Sequence, residues 1–298
     1  MKYSTRFAAV LGLVAATAAS AQQNFDAVEI KIVPVRDGIY MLMGSGGNIG
    51  VSVGADKTFI IDDQYGPLSP KIAAAVAKLS SRPIDFLLNT HWHGDHTGGN
   101  ENFGNAGVLI FAQDNVRGRM ATMSSLRGEP RELSPASALP VVTYGEDITL
   151  HINGQTIHGV HGVPAHTDGD TIVKFEQANV IHTGDLFMPG RYPFTDSESG
   201  GDFDGFIKNA ETIMAMADDD TLIIPGHGEL ARKADVKLYH DTLATLRERV
   251  AALVKRGRTR DQVIAAKPMA DLDGTWGSGF MKPDDVLGAA YDAVSRNR

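Results

Sequence analysis

Short β-rich segments fill the first part of the chain, at residues 29–33, 39–43, 50–53 and 58–62, with Asp-Gly, Gly-Ser-Gly-Gly and Ala-Asp-Lys turn signals between them. They predict a meander. A helix follows, with Ser69 as its cap, Pro70 at its first position and Ile72, Val76 and Leu79 on one face. The apolar run at 84–88 fits a buried parallel strand. After a polar stretch at about 117–140, strands near 147–152, 155–160, 171–175 and 180–183 repeat that order without a visible sequence repeat. Phe206, Ile207, Ala210, Ile213 and Met214 recur at helical spacing over 203–217, ahead of a strand at 221–224 that ends in Pro-Gly-His-Gly. The segment 234–256 sets Val236, Tyr239, Leu243, Leu246, Val250 and Leu253 on one helix face and closes at Gly257. Thr259 and Gln262 form a capping-box pattern for another helix, and 283–295 predicts a last one.

The first residues add a different kind of segment. Lys2 and Arg6 precede an apolar stretch from Phe7 to about Ala19, and Ala19 and Ala21 flank Ser20 ahead of Gln22. This succession is that of a secretory signal peptide at 1–21, and the apolar stretch is shorter than the roughly 20 residues that span a bilayer. The expected mature protein, 22–298, is therefore periplasmic or secreted, without a membrane anchor. The full chain has 43% hydrophobic and 21% charged residues, enough for one large-cored domain. A net charge of −8 argues against nucleic acid and anionic lipid as partners and leaves a small-molecule substrate. The chain has no cysteine, so a metal would have to be held by histidine, carboxylate, backbone or water. Nothing in the pattern fixes the oligomeric state.

The candidate chemistry sits just past the strand at 84–88, in Asn-Thr-His-Trp-His-Gly-Asp-His-Thr-Gly-Gly. In open α/β sheets, sites form at such strand ends. His91, His93, Asp95 and His96 cannot all face one ion from a tight turn, so two ions would explain their density. Three later strand ends offer His166, Asp185 and His227.

This ordered set, His-x-His-x-Asp-His, then His, then Asp in a Gly-Asp pair, then His in Gly-His-Gly, resembles the metallo-β-lactamase fold superfamily of metal-dependent hydrolases. The resemblance covers about 39–228 and implies an α/β four-layer αβ/βα sandwich with metals at one edge. It implies His91, His93 and His166 on a first metal, Asp95, His96 and His227 on a second, and Asp185 bridging. The cofactor expected is two Zn2+, with iron or manganese as alternatives. Ions roughly 3.5 to 4 Å apart can hold a bridging hydroxide and polarise a carbonyl, with Asp95 orienting the hydroxide and returning a proton to the leaving group.

Aspartate at 185 resembles glyoxalase-type thioesterases and lactonases, whereas β-lactamases with a cysteine ligand carry it there. The expected activity is thus hydrolysis of an ester, thioester, lactone or amide-type bond. A β-lactamase, a persulfide dioxygenase with one iron, and a metal-binding domain without catalysis are the alternatives. Flavodiiron and RNA-processing branches are excluded by His93 and by the missing extra domains. The segment 186–201 should wall the pocket, making Phe187, Arg191, Tyr192 and Phe194 candidate substrate contacts. Thr97, Thr167, Asp168 and Asp170 either orient imidazoles or cap turns, and of the remaining histidines only His182 is expected to support a ligand from behind.

Overall fold

The computed structural model describes residues 24–296, so the expected leader at 1–21 lies outside the described residues. The meander comprises β1 (Lys31–Arg36), β2 (Ile39–Met43), β3 (Ile49–Val53) and β4 (Thr58–Ile61). Next come α1 (Ser69–Ala77), β5 (Phe86–Leu88), the short helices α2 (Gly94–Thr97) and α3 (Asn100–Asn105), β6 (Leu109–Gln113) and α4 (Asp114–Thr122). A small hairpin of β7 (Ser125–Leu126) and β8 (Glu129–Pro130) precedes β9 (Val142–Tyr144). The second half holds β10 (Asp147–Ile152), β11 (Gln155–His161), β12 (Thr171–Phe175), β13 (Val180–His182), α5 (Phe203–Met216) and β14 (Leu222–Ile224). Four helices end it: α6 (Lys233–Lys255), α7 (Arg260–Ala265), α8 (Asp273–Trp276) and α9 (Pro283–Arg296).

One sheet runs β1-β2-β3-β4-β5-β6-β9 and the other β10-β11-β12-β13-β14. Successive side chains on a strand point to opposite faces, and here both faces are apolar. Met41, Ile61, Leu88 and Phe111 face Val173, Val180 and Ile224 of the other sheet, making the inner core. Their neighbours Leu42, Ile60, Leu87 and Ile110 pack outward on Ile72 and Val76 of α1 and Phe103 of α3. Ile172, Ile181 and Ile223 pack outward on Phe206, Ile213, Leu243 and Leu246 of α5 and α6, and α9 closes the same layer. The result is helix, sheet, sheet, helix, the expected four-layer αβ/βα sandwich. Strands this buried on both sides read as continuous apolar runs, which is why β5 was visible in the sequence.

Three details differ from the sequence reading. Ser69 is the first residue of α1 rather than its cap; the capping position is Leu68, reached through a 3-10 turn, and the Ser69 hydroxyl accepts from Asn102 Nδ2 at 3.0 Å. β1 runs on past Val33 to Arg36, because Pro34 is tolerated in an edge strand and the register shifts there. The stretch at 117–140 is not merely a polar connection: α4 and the β7-β8 hairpin lie within or beside it, and Val116 and Met120 of α4 cover Trp92.

Candidate metal centre

Strand ends gather the candidate residues at one edge of the sandwich. His91 and His93 follow β5, Asp185 follows β13, His227 follows β14, and His166 lies in the loop between β11 and β12. Two backbone hydrogen bonds tie these ends together, Asp62 N to Leu88 O at 2.9 Å and Thr183 N to Ile224 O at 3.0 Å. Close approach demands glycine at two places. A Cβ on Gly47 would run into the His96 ring, and one on Gly226 into Asp185 Oδ1.

All seven sequence-derived ligands come together. His91, His93 and His166 form one group, His91, His96 and Asp185 a second, and Asp95, His96 and His227 a third, with donor atoms within 4.8 Å of one another in each. In the first group His93 Nδ1 lies 2.7 Å from His166 Nε2, which lies 3.2 Å from His91 Nε2. Asp185 sits between the groups, its Oδ2 3.5 Å from His166 Nε2 and 3.4 Å from His227 Nε2, its Oδ1 3.2 Å from His96 Nε2. Asp95 Oδ2 lies 3.3 Å from His227 Nε2.

The protons of the first group can be assigned from the partners behind the rings. His93 Nε2 donates to Asp196 Oδ2 at 2.8 Å, and His166 Nδ1 donates to the Phe194 carbonyl at 2.7 Å. Thr90 Oγ1 donates to Asp62 Oδ2 at 2.8 Å, so it accepts from His91 Nδ1 at 3.0 Å. With one ring proton held behind each imidazole, the opposite nitrogen turns a bare lone pair toward the other two rings. Three lone pairs at these separations repel unless a cation sits among them, so the residues fit a divalent ion with nitrogen ligands. Burial, reinforced by the neighbouring imidazoles, lowers His91 well below its ordinary pKa and His166 to about 4, which keeps both rings neutral.

The second and third groups, which share His96, are balanced by charge instead. His96 Nδ1 donates to Asp62 Oδ2 at 2.8 Å. Burial opposes charge on His96 and His227, yet Asp185 and Asp95 outweigh it, raising His96 well above its ordinary pKa and His227 to about 9. Burial likewise opposes ionisation of the carboxyls, and the facing imidazoles of His96 and His227 overcome it, holding Asp95 at about 2 and Asp185 well below the usual range. Two ionised carboxylates side by side, Asp185 buried and Asp95 half-buried, require positive charge beside them, as protons or as a metal. Asp185 Oδ1 is buried with His96 Nε2 at 3.2 Å, itself a candidate ligand atom, so a cation shared by the two would satisfy both.

Several supporting residues escaped the sequence reading. Asp62, read only as a strand end, orients both His91, through Thr90, and His96. Asp196 orients His93 and is itself held by Ser199, which also accepts from Trp92 Nε1 at 3.0 Å. Asn48 spans the turn that carries His227: its Nδ2 donates to Pro225 O at 2.9 Å and Gly228 O at 2.8 Å, and its backbone N to Gly226 O at 2.7 Å. The four polar neighbours singled out from sequence hold turns and touch no ligand imidazole. Thr97 donates to Trp92 O and His93 O, Thr167 pairs with Asp170, and Asp168 pairs with Arg119. His182 does stand behind the site, donating from Nε2 to Asn48 O at 3.1 Å and accepting at Nδ1 from Gly184 N at 3.2 Å.

A cavity of about 570 Å³ opens over this floor. His93, Asp95, His166, Asp185 and His227 form its base, and Arg191, Tyr192 and Phe194 line it as the sequence suggested. Phe187 does not: with Leu186 it turns back into the core after Asp185, fully buried against Tyr239 with ring centroids 5.4 Å apart. Tyr65, Leu126, Arg127, Met188, Phe280 and Met281 complete the wall, from segments that carry no motif.

A two-sheet sandwich with a histidine and aspartate cluster at the strand ends defines a class. The chain belongs to the metallo-beta-lactamase superfamily, whose family model matches residues 44–227. It is 29% identical over 143 residues to the atrochrysone carboxyl ACP thioesterase of Emericella nidulans, a match covering 48% of this chain and 40% of that one. It is 27% identical over 170 residues to the hydroxyacylglutathione hydrolase of Polaromonas sp., covering 54% and 55% respectively. The chain thus spans about half or less of the length of these relatives. Among solved structures, a metallo-beta-lactamase from Pontibacter korlensis superposes with a TM-score of 0.60 at 16% identity, covering 72% of this chain and 99% of that one. The sec-alkylsulfatase Pisa1 from Pseudomonas sp. superposes with a TM-score of 0.69 at 17% identity, covering 88% and 50%. At such identities the likeness is one of fold.

Proposed function

We propose that this chain is a metal-dependent hydrolase that opens an ester, thioester, lactone or amide-type bond in a small molecule. Two zinc ions are assigned, one to His91, His93 and His166, the other to Asp95, His96 and His227, with Asp185 shared. The observation that carries this reading is the convergence of three imidazole lone pairs, each fixed by an acceptor behind its ring, beside the buried Asp185 carboxylate. Bound divalent cations would supply activated water at neutral pH and polarise a carbonyl.

The chain's own residues do the remaining work. Asp95 faces the cavity and is ionised at neutral pH, so it can accept a hydrogen bond from the attacking water and later pass a proton to the leaving group. Tyr65, Met188, Phe194 and Phe280 wall the floor with apolar surface, which keeps bulk water away and strengthens charge interactions there. Relatives named as a thioesterase and a hydroxyacylglutathione hydrolase support the thioester side of this range.

The test is a panel of ester, thioester, lactone, phosphodiester and β-lactam substrates offered to the zinc-loaded protein. Turnover that disappears on chelation and returns with zinc is expected for at least one acyl substrate. No turnover across the panel would overturn the proposal. Preferential β-lactam opening would make it a β-lactamase instead.

A further inference from the structure

Two arginines line the cavity, and neither guanidinium forms an ion pair among the described residues. Arg119, by contrast, binds Asp168 at 2.6 Å, Arg247 binds Asp204 at 2.7 Å and Arg249 binds Asp271 at 2.6 Å. Arg127 sits at the tip of the β7-β8 hairpin, with φ of 55° at Arg127 and 76° at Gly128, a left-handed pair that turns the tip over the cavity mouth. Its Cζ lies 5.2 Å from the centroid of Phe194 and 4.9 Å from that of Phe280. Phe280 is 69% exposed, an apolar ring kept at the rim rather than buried. Arg191 enters from the segment after Asp185.

A guanidinium held by aromatic rings keeps its position through its charge, which leaves its N–H fork free for a planar oxyanion. Phe194 joins this cation to the floor. Its ring stacks on His93 at 5.8 Å and its carbonyl holds His166, so the fork is placed one ring's width beyond the first imidazole group. In a chain of net charge −8, two guanidinium groups at the cavity wall raise the local concentration of an anion there.

We infer that Arg127 and Arg191 form an anion subsite, so that the substrate carries a carboxylate at the end remote from the bond that is cleaved. This deepens the hydrolase reading above and rests on it for the cleavage, though not for the binding of the anion.

The test uses two p-nitrophenyl esters of equal chain length, the hexanoate and the monoester of adipic acid, which differ in the terminal carboxylate. For the zinc-loaded protein, kcat/KM should favour the adipate ester by about tenfold or more, the size of one charge-assisted hydrogen bond. In Arg127→Met/Arg191→Met that ratio should fall toward one, and Arg127→Lys alone should keep part of it. A ratio near one for the unaltered protein, or one unchanged by the double substitution, overturns the subsite. Calorimetric binding of hexanesulfonate provides a readout free of catalysis: its affinity should weaken about tenfold in the double variant. If neither ester turns over yet this loss is seen, the subsite stands and the hydrolase reading falls. Equal affinity for hexanesulfonate in both proteins overturns the subsite on its own.

Discussion

Asn48 is the clearest place to test how the fold holds the centre, because one side chain spans the turn that presents His227. Its amide Nδ2 donates to Pro225 O and Gly228 O, at 2.9 and 2.8 Å, from a residue only 4% exposed. Asn48→Ala removes both donors. The Pro225 carbonyl is left buried without a partner and the Gly228 carbonyl is only partly reachable by water. A buried acceptor without its donor costs about 1–3 kcal/mol, and the half-hydrated one costs less, so the loss should total about 2–4 kcal/mol. The backbone bond from Asn48 N to Gly226 O survives the change, so the turn loosens without being released. Outer partners of metal ligands typically contribute about ten- to a hundredfold in affinity, and His227 belongs to the group of Asp95 and His96 alone. Urea unfolding of the metal-free variant measures the first effect and a calorimetric zinc titration the second. A stability loss below about 0.5 kcal/mol, the range of an ordinary surface change, together with an unaltered isotherm, would refute the reasoning.

Elemental analysis after purification in zinc should give two zinc ions per chain; one stoichiometric iron with sulfur-oxygenating activity would favour a dioxygenase instead. Asp95→Asn should lower kcat by about a hundredfold or more, since an amide cannot accept the proton, with only partial loss of metal. Near-normal turnover in that variant would remove Asp95 from the mechanism. Asp185→Ala should keep one tight zinc, on three histidines, and bind the second weakly, with activity partly restored by excess zinc; two undiminished tight sites by calorimetry would show that Asp185 is not a ligand. Mass spectrometry of the native protein should find a chain beginning near Gln22, and a mass that retains residues 1–21 would contradict export.

The floor of the site was legible because it is made of short motifs at the ends of apolar runs. β5 and β14 read as short uninterrupted apolar runs, and β13 as Val180-Ile181 ahead of His182, so the residues after each must lie at the sheet edge. Asp62 and Asp196 were harder, since each acts on an imidazole far away in the chain and looks locally like a strand end or a turn residue. α4 buries only Val116 and Met120, too few apolar positions to establish a helical period. The β7-β8 turn places Arg-Gly where both central residues need positive φ, and arginine is not among the residues that announce such a turn. Phe187 was misread because proximity to Asp185 in sequence does not fix which face a side chain takes.

This division has a physical basis that bears on how such a site acquires its substrate. The floor is constrained three times over, by strand register, by glycine contacts at Gly47 and Gly226, and by acceptors that fix each tautomer, so few residues there can change independently. The wall comes from the hairpin tip at Leu126 and Arg127, from 188–194, and from Phe280 and Met281, segments with no shared register. Phe194 is where the two meet. Its carbonyl belongs to the floor, holding His166, whereas its ring belongs to the wall, against Arg127 and Phe280. Any residue at 194 can supply the carbonyl, but only an aromatic ring supplies both the stack on His93 and the seat for a guanidinium. The backbone therefore keeps the candidate ligands in place while side chains along the wall are left to vary, which is the arrangement expected when one fold carries different chemistries.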